Sequence, residues 1–280
     1  MADVTRIVLS VEYAGESFEG WQTQPHGRTV QDALERALAC VADTAVPTVC
    51  AGRTDTGVHA TTQIVHFDAP VVRPVSAWVR GVNSHLPDGV AVRWAQPVGA
   101  DFHARFSATA RHYRYVLFNG PVRPALLNAR VGWFHRPLEA ARMAEAAQVL
   151  LGEHDFSAFR AAGCQAHSPV RRMRHAHVQR CGEFVVFDFC ADAFLHHMIR
   201  NLVGALVYIG KGAQPVGWMG ELLRGRDRTR AAPTFAAAGL YLCGVEYPDQ
   251  WSLPGQGRII CTPQFALPMP CPEPESRSAD

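Results

Sequence analysis

The chain has 280 residues, 48% of them hydrophobic and 19% charged, with a formal net charge of +2. That size and balance fit one large domain or two ordinary ones, and they exclude a disordered or fibrous chain and a small disulfide scaffold. The longest strongly apolar stretch, Leu202 to Ile209, is far shorter than the ~20 residues a membrane span needs. The N-terminus lacks the layout of a signal peptide, and no two of the eight cysteines form a C-x-x-C pair. The expectation is a cytoplasmic protein with free thiols and no membrane partner.

The predicted elements begin with a buried strand from Arg6 to Tyr13, followed by a loop rich in Gly, Gln and Pro. A helix from Val30 to about Val41 follows, with Thr29 as N-cap and Val30, Ala33, Leu34, Ala37, Leu38 and Val41 on one face. Strands near Thr48 to Ala51 and Thr61 to Phe67 flank a glycine-bearing turn, Gly52 to Gly57. A helix from Val75 to His85 and a strand from Val90 to Trp94 complete a βαββαβ order.

The order recurs with longer connections. It runs through a strand at Tyr113 to Phe118, a helix at Leu138 to Leu151, strands near Arg174 to Val178 and Phe184 to Phe189, a helix at Phe194 to Ile209, and a strand at Gly239 to Tyr247. The expected fold is therefore α+β, with two ferredoxin-like halves over 1–108 and 109–248 and a ligand-holding cleft between them. The Pro-rich tail, 249–280, is expected to hold little regular structure.

Three segments concentrate chemistry. The turn A-G-R-T-D-T-G-V-H-A, Ala51 to Ala60, sets the Asp55 carboxylate between the Arg53 guanidinium and the His59 imidazole on rigid strands. In R-H-Y-R-Y, strand alternation puts Tyr113 and Tyr115 on one face, with Tyr113 at the strand's beginning, where a phenol can serve as acid, base or stacking surface. In F-L-H-H-M-I-R-N-L-V-G, read as helix, Arg200 lies opposite the apolar face and is placed to pair with a carboxylate in the cleft. His196 and His197, as helix neighbours, cannot share one face, which argues against a metal site. Two arginine clusters, Arg171, Arg172 and Arg174, and Arg224, Arg226, Arg228 and Arg230, suit phosphate contacts.

Together these motifs resemble the tRNA pseudouridine synthase A family from Val4 to Pro248. The resemblance rests on G-W-Q-x-Q (Gly20, Trp21, Gln22, Gln24), G-R-T-D-T-G-V-H-A, D-F-H-A-R-F-S-A (Asp101 to Ala108), R-H-Y-R-Y, H-D-F-S-A-F-R (His154 to Arg160), S-P-V-R (Ser168 to Arg171), F-L-H-H-M-I-R-N and G-L-Y-L (Gly239 to Leu242). One departure is Asp32, where a glycine is common. The resemblance implies a pseudouridine synthase fold with Asp55 as nucleophile, Arg53 helping to displace the target base, Tyr113 in the active site and Arg200 as the basic partner of Asp55. His59, Arg171, Arg172 and Leu240 are further candidates for substrate contact. It also implies a homodimer acting on uridines of the tRNA anticodon stem-loop, at tRNA positions 38, 39 and 40, without cofactor or metal.

The residue types suit that chemistry. Forming pseudouridine breaks the N1–C1′ bond, turns the uracil and rejoins it through C5 with no net redox change. A carboxylate, ionised at neutral pH, can attack the sugar or the base or stabilise charge at C1′. Two other readings fit less well. An aspartic protease needs a second Asp-Thr-Gly carboxylate, and the chain has one. An RNA-recognition module needs a Lys/Arg-Gly-Phe-type aromatic signature, which the sequence lacks.

Overall fold

Five consecutive residues of the first strand, Ile7 to Val11, are buried, so neither face of that strand meets solvent. In the computed structural model, which describes residues 5–255, this is β1 (Thr5–Tyr13). There follow α1 (Val30–Ala42), β2 (Val49–Cys50), β3 (His59–Ala69), a helical segment over 75–83 with π geometry at Ala77–Gly81, and β4 (Val90–Val98). The second series is β5 (Ala110–Asn119), β6 (Gly132–Phe134), α2 (Ala140–Gln148), β7 (Gly152–Asp155), β8 (Val170–Cys181), β9 (Phe184–Ala191), α3 (Met198–Gly210), α4 (Trp218–Gly225) and β10 (Leu240–Glu246).

All the strands join one sheet with the order β4-β1-β3-β10-β5-β9-β8-β7, β2 pairing also with β3 and β6 with β5. Within it, β4-β1-β3-β2 and β10-β5-β9-β8 repeat the same arrangement, the ferredoxin-like order expected from the sequence. The two join where β10 runs parallel to the start of β3, Tyr241 opposite His59 and Leu242 opposite Ala60, while β2 pairs farther along β3 at Val65 and His66.

The helices share one face of this sheet. Leu9, Val65 and Leu242 pack with α1, whereas Tyr115, Phe187 and Leu240 pack with α2, α3 and α4. Leu240 and Leu242, two apart on β10, therefore carry both cores on one side. A smaller cluster on the other side joins Val8, Ile64, Phe102, Ala104, Tyr247 and Leu253, with Trp251 edge-on to Phe102. The start of the tail is thus part of the fold. Residues 256–280, with Cys261 and Cys271, lie outside the described residues.

Two local outcomes bear on the site. Thr29 caps α1 as expected, and Asp32 answers it by accepting from the Thr29 backbone N–H, completing a capping box of the kind worth about 1 kcal/mol. Second, the helix expected from Phe194 begins only at Met198. His197 takes a left-handed conformation, φ 61°, just before it, so Phe194 to His197 form an irregular approach.

Burial also builds in a pH response. His66, 5% exposed, accepts a hydrogen bond from the Ala104 N–H at its Nδ1, and burial first, then Arg6, push its pKa down to about 4. At pH above the unfolded value of about 6.5 both states are neutral; as pH falls from there to 4, only the unfolded chain takes up the proton. We expect a loss of about 3 kcal/mol over that window, measured by urea unfolding at a series of pH values. His66→Gln should flatten the slope, and an unchanged slope in that variant would rule His66 out as its source.

Candidate active site

The turn runs from Ala51, buried in the cluster on the helix-free side, to Val58, packed in the core with α2, α3 and α4, and its backbone is fixed from both neighbours. The Gln63 side chain donates to the Gly52 carbonyl (2.5 Å) and accepts from its N–H (3.3 Å). The Arg111 guanidinium, from the second residue of β5, donates to the carbonyls of Ala51, Arg105, Ala108 and Asp192. A buried charge spent on four carbonyls ties the turn to the loops on both sides of the seam. Higher up, Thr54 Oγ1 pairs with the Tyr13 hydroxyl at 2.7 Å, and its carbonyl accepts from the Trp21 N–H at 3.0 Å.

Glycines allow this close packing. Gly20 has φ +83°, and a Cβ there would lie 2.9 Å from the Thr54 carbonyl oxygen; a Cβ on Gly15 would sit 2.0 Å from the Val58 oxygen. The G-W-Q-x-Q loop therefore leans directly on the turn while its Gly20 and Trp21 carbonyls accept from the first N–H groups of α1.

Asp55 is met from the opposite side by α3 and its approach. Arg200 Nη1 donates to Oδ2 at 3.0 Å, and its Nε donates to the Phe235 carbonyl at 2.9 Å, so the guanidinium is held at both ends. The ring nitrogens Nε2 of His196 and His197 each lie 3.3 Å from an Asp55 oxygen. Asn201, fully buried, donates to the Phe159 carbonyl and accepts from Arg228 and Thr234, locking the helix that carries Arg200. The strained His197 backbone is what turns both imidazoles toward one carboxylate.

Burial first, opposed by the pull of Asp55 and aided by the Arg200 and Arg228 guanidinium groups, leaves the His197 pKa below its ordinary value. Burial likewise drives the Tyr113 phenol far up; Arg111 opposes this and Asp55 adds to it. Tyr113 stands edge-on to Phe194 with ring centroids 5.1 Å apart, its hydroxyl beside Gly52.

A cleft of about 400 Å³ opens over Asp55, walled by Glu19, Trp21, Gln22 and Gln24 on one side and His196, His197 and Arg200 on the other. Donor atoms of Asp55, His196 and His197 lie within 4.8 Å of one another. The argument against a metal from helix faces therefore does not hold, because both histidines precede the helix. A cation at that point would instead share the carboxylate with the fixed Arg200 guanidinium.

The structure thus joins Asp55 and Arg200 directly and brings Tyr113 to the same turn. It treats the other candidates differently. Arg53 is exposed, with no hydrogen bond or ion pair among the described residues. His59 is 2% exposed and turned inward: Nδ1 accepts from the Gly15 N–H, Nε2 points at the Ala129 and Ala238 carbonyls, and the ring stacks on Tyr241. It braces the turn rather than facing the cleft. Leu240 is core. Arg171 is half-buried and donates to the Ser168 and Val170 carbonyls, whereas Arg172 is exposed and paired with Glu153. Sequence reasoning missed Arg111, whose only signal is an arginine at the inward-facing start of a strand, and the approach of both histidines to Asp55.

A family model described as tRNA pseudouridine synthase matches residues 9–107 and 146–248. The chain belongs to this family, a class of isomerases that convert uridine to pseudouridine. Within it, the chain is similar to proteins named tRNA pseudouridine synthase A. The one from Aromatoleum aromaticum is 65% identical over 93% of this chain and 98% of its own length. Those of Dechloromonas aromatica and Thiobacillus denitrificans are 64% and 60% identical over 89% of this chain and 95% and 96% of theirs.

Proposed function

We propose that the chain isomerises uridines at positions 38, 39 and 40 in the anticodon stem-loop of tRNA, with Asp55 as the nucleophile. The observation that carries this reading is the Asp55 carboxylate at the cleft floor, held by Arg200 at 3.0 Å and reached by two imidazoles. A cleft of about 400 Å³ lies within the usual range for a small ligand and suits one nucleotide drawn out of its stack. That extrusion costs a few kcal/mol. Arg53, exposed and unpaired among the described residues, is placed to fill the space the base leaves.

Asp55 attacks C1′ or C6; in either case N1–C1′ breaks, the uracil turns, C5–C1′ forms, and the C5 hydrogen leaves as a proton. Arg200 orients the carboxylate and holds it in place through the anchor to Phe235. Tyr113, edge-on to Phe194 and with its hydroxyl beside Gly52 of the same turn, takes the C5 proton, passing it on to solvent, and offers its ring as a surface for the uracil. The chemistry is redox-neutral and needs no cofactor.

The exposed Arg172, with Arg171 shaping its loop, contributes to phosphate contact, and the active form is a cytoplasmic homodimer. No described helix is long and apolar enough to cross a membrane. The test is site mapping on transcripts carrying a single uridine at 38, 39 or 40. Conversion is expected at these positions. Conversion confined to uridines outside the stem-loop would overturn the assignment.

A further inference from the structure

The sheet face opposite the helices carries a polar cluster that the isomerisation does not use. His112 on β5 stands directly across from Cys190 on β9 and from Gly244 on β10, and Glu246 lies two residues further along β10. The His112 Nε2 is 2.5 Å from Glu246 Oε1 and 3.6 Å from Cys190 Sγ, and donor atoms of all three residues fall within 4.8 Å of one another. Cys190 is a free thiol, 4% exposed.

We propose that His112, Cys190 and Glu246 form a binding site for a divalent transition metal of the zinc class, distinct from the Asp55 cleft. Imidazole, thiolate and carboxylate are the donor types zinc takes, and three protein donors with one open position are a recurring arrangement. Bond lengths of about 2.3 Å to sulfur and about 2.0 Å to nitrogen at a tetrahedral angle separate S and N by about 3.5 Å, which matches the 3.6 Å found. The nitrogen and carboxylate oxygen, which share a proton here, open to about 3.3 Å when a metal replaces it.

The surroundings suit that exchange. Arg174 donates to the other Glu246 oxygen, Oε2, at 3.1 Å and to the Thr109 carbonyl, so the carboxylate is already oriented with Oε1 toward His112. Hydrogen bonds of this kind to a ligand's far atom are what fix metal ligands in direction. His175 is in register with Cys190 on the neighbouring strand β8. As the metal–sulfur bond forms, the thiol proton passes to solvent; no electrons are transferred. Bound there, the ion would clamp β5, β9 and β10, the three strands beside the seam.

The full-length protein, stripped with a chelator and then titrated with Co²⁺, tests this. One equivalent is expected to bind with a thiolate-to-cobalt charge-transfer band, displaced by one equivalent of Zn²⁺. The band should vanish in Cys190→Ser and the affinity should fall at least about tenfold in Glu246→Gln, a variant that leaves the core untouched. It should persist in Asp55→Asn. Absence of the band in the wild-type protein, or its survival in Cys190→Ser, would overturn the proposal, and cobalt bound without that band and lost in Asp55→Asn would place the metal in the cleft instead.

Discussion

Asp55→Asn is expected to lower kcat by about 10⁴-fold or more, close to 5.5 kcal/mol of lost transition-state stabilisation, while the Kd for tRNA changes by less than about threefold. Asparagine keeps the shape of the side chain, and its carbonyl oxygen can still accept from Arg200 Nη1, which is 3.0 Å from the native carboxylate. Two features of the carboxylate are lost: the negative charge that draws in His196 and His197, and the nucleophilic oxygen. Because phosphate contacts dominate affinity for nucleic acid, binding is insensitive to this one atom pair. Single-turnover kinetics beside a filter-binding isotherm separates the two quantities. A variant within tenfold of wild-type kcat would remove Asp55 from the nucleophile's role.

Arg200→Gln is expected to cost about 10²–10³-fold in kcat, the range for removing one fixed charge-assisted donor from an active site. Arg200 spans from the Phe235 carbonyl to Asp55 through two different nitrogens, and glutamine is too short to span both. Its loss frees the carboxylate to turn toward His196 and His197. Arg200→Lys restores the charge without the fork and should recover no more than about tenfold of the loss. Thermal melts run alongside identify any general loss of fold, since Arg200 sits one residue before Asn201, whose contacts hold α3. If Lys restored full activity, charge alone and not orientation would be the contribution of Arg200.

Periodicity made much of this fold legible. The strands from Arg6, Tyr113 and Phe184 and the helix from Val30 all lie where the alternation and the Thr29 cap put them, because their apolar positions face one or other of the two cores on the helix-bearing side. The short strands β6 and β7 were not anticipated, since three or four residues carry no readable period. The joining of the two halves through β10 against β3 is a long-range pairing that local pattern does not encode.

At the site, Asp55 and Arg200 were readable because a carboxylate in a strand-joining turn and an arginine opposite an apolar stripe each ask for a partner. His196 and His197 were misread because the helical period was extended through His197, whose left-handed φ of 61° breaks it. His59 was misplaced for a related reason. Sequence proximity to Asp55 suggested the cleft, but β3 begins at His59, and the ring is turned inward, onto Tyr241 and two backbone carbonyls.

The reaction proposed for this chain is isomerisation of uridine in tRNA through Asp55. The most direct measurement uses tRNA carrying tritium at C5 of its uridines, with a chelator present and no cofactor added. The wild-type protein should release one tritium to water for each pseudouridine formed, and Asp55→Asn should release none above background in the time of many wild-type turnovers. Retention of the tritium by the wild-type reaction, or release by Asp55→Asn at the wild-type rate, would contradict it.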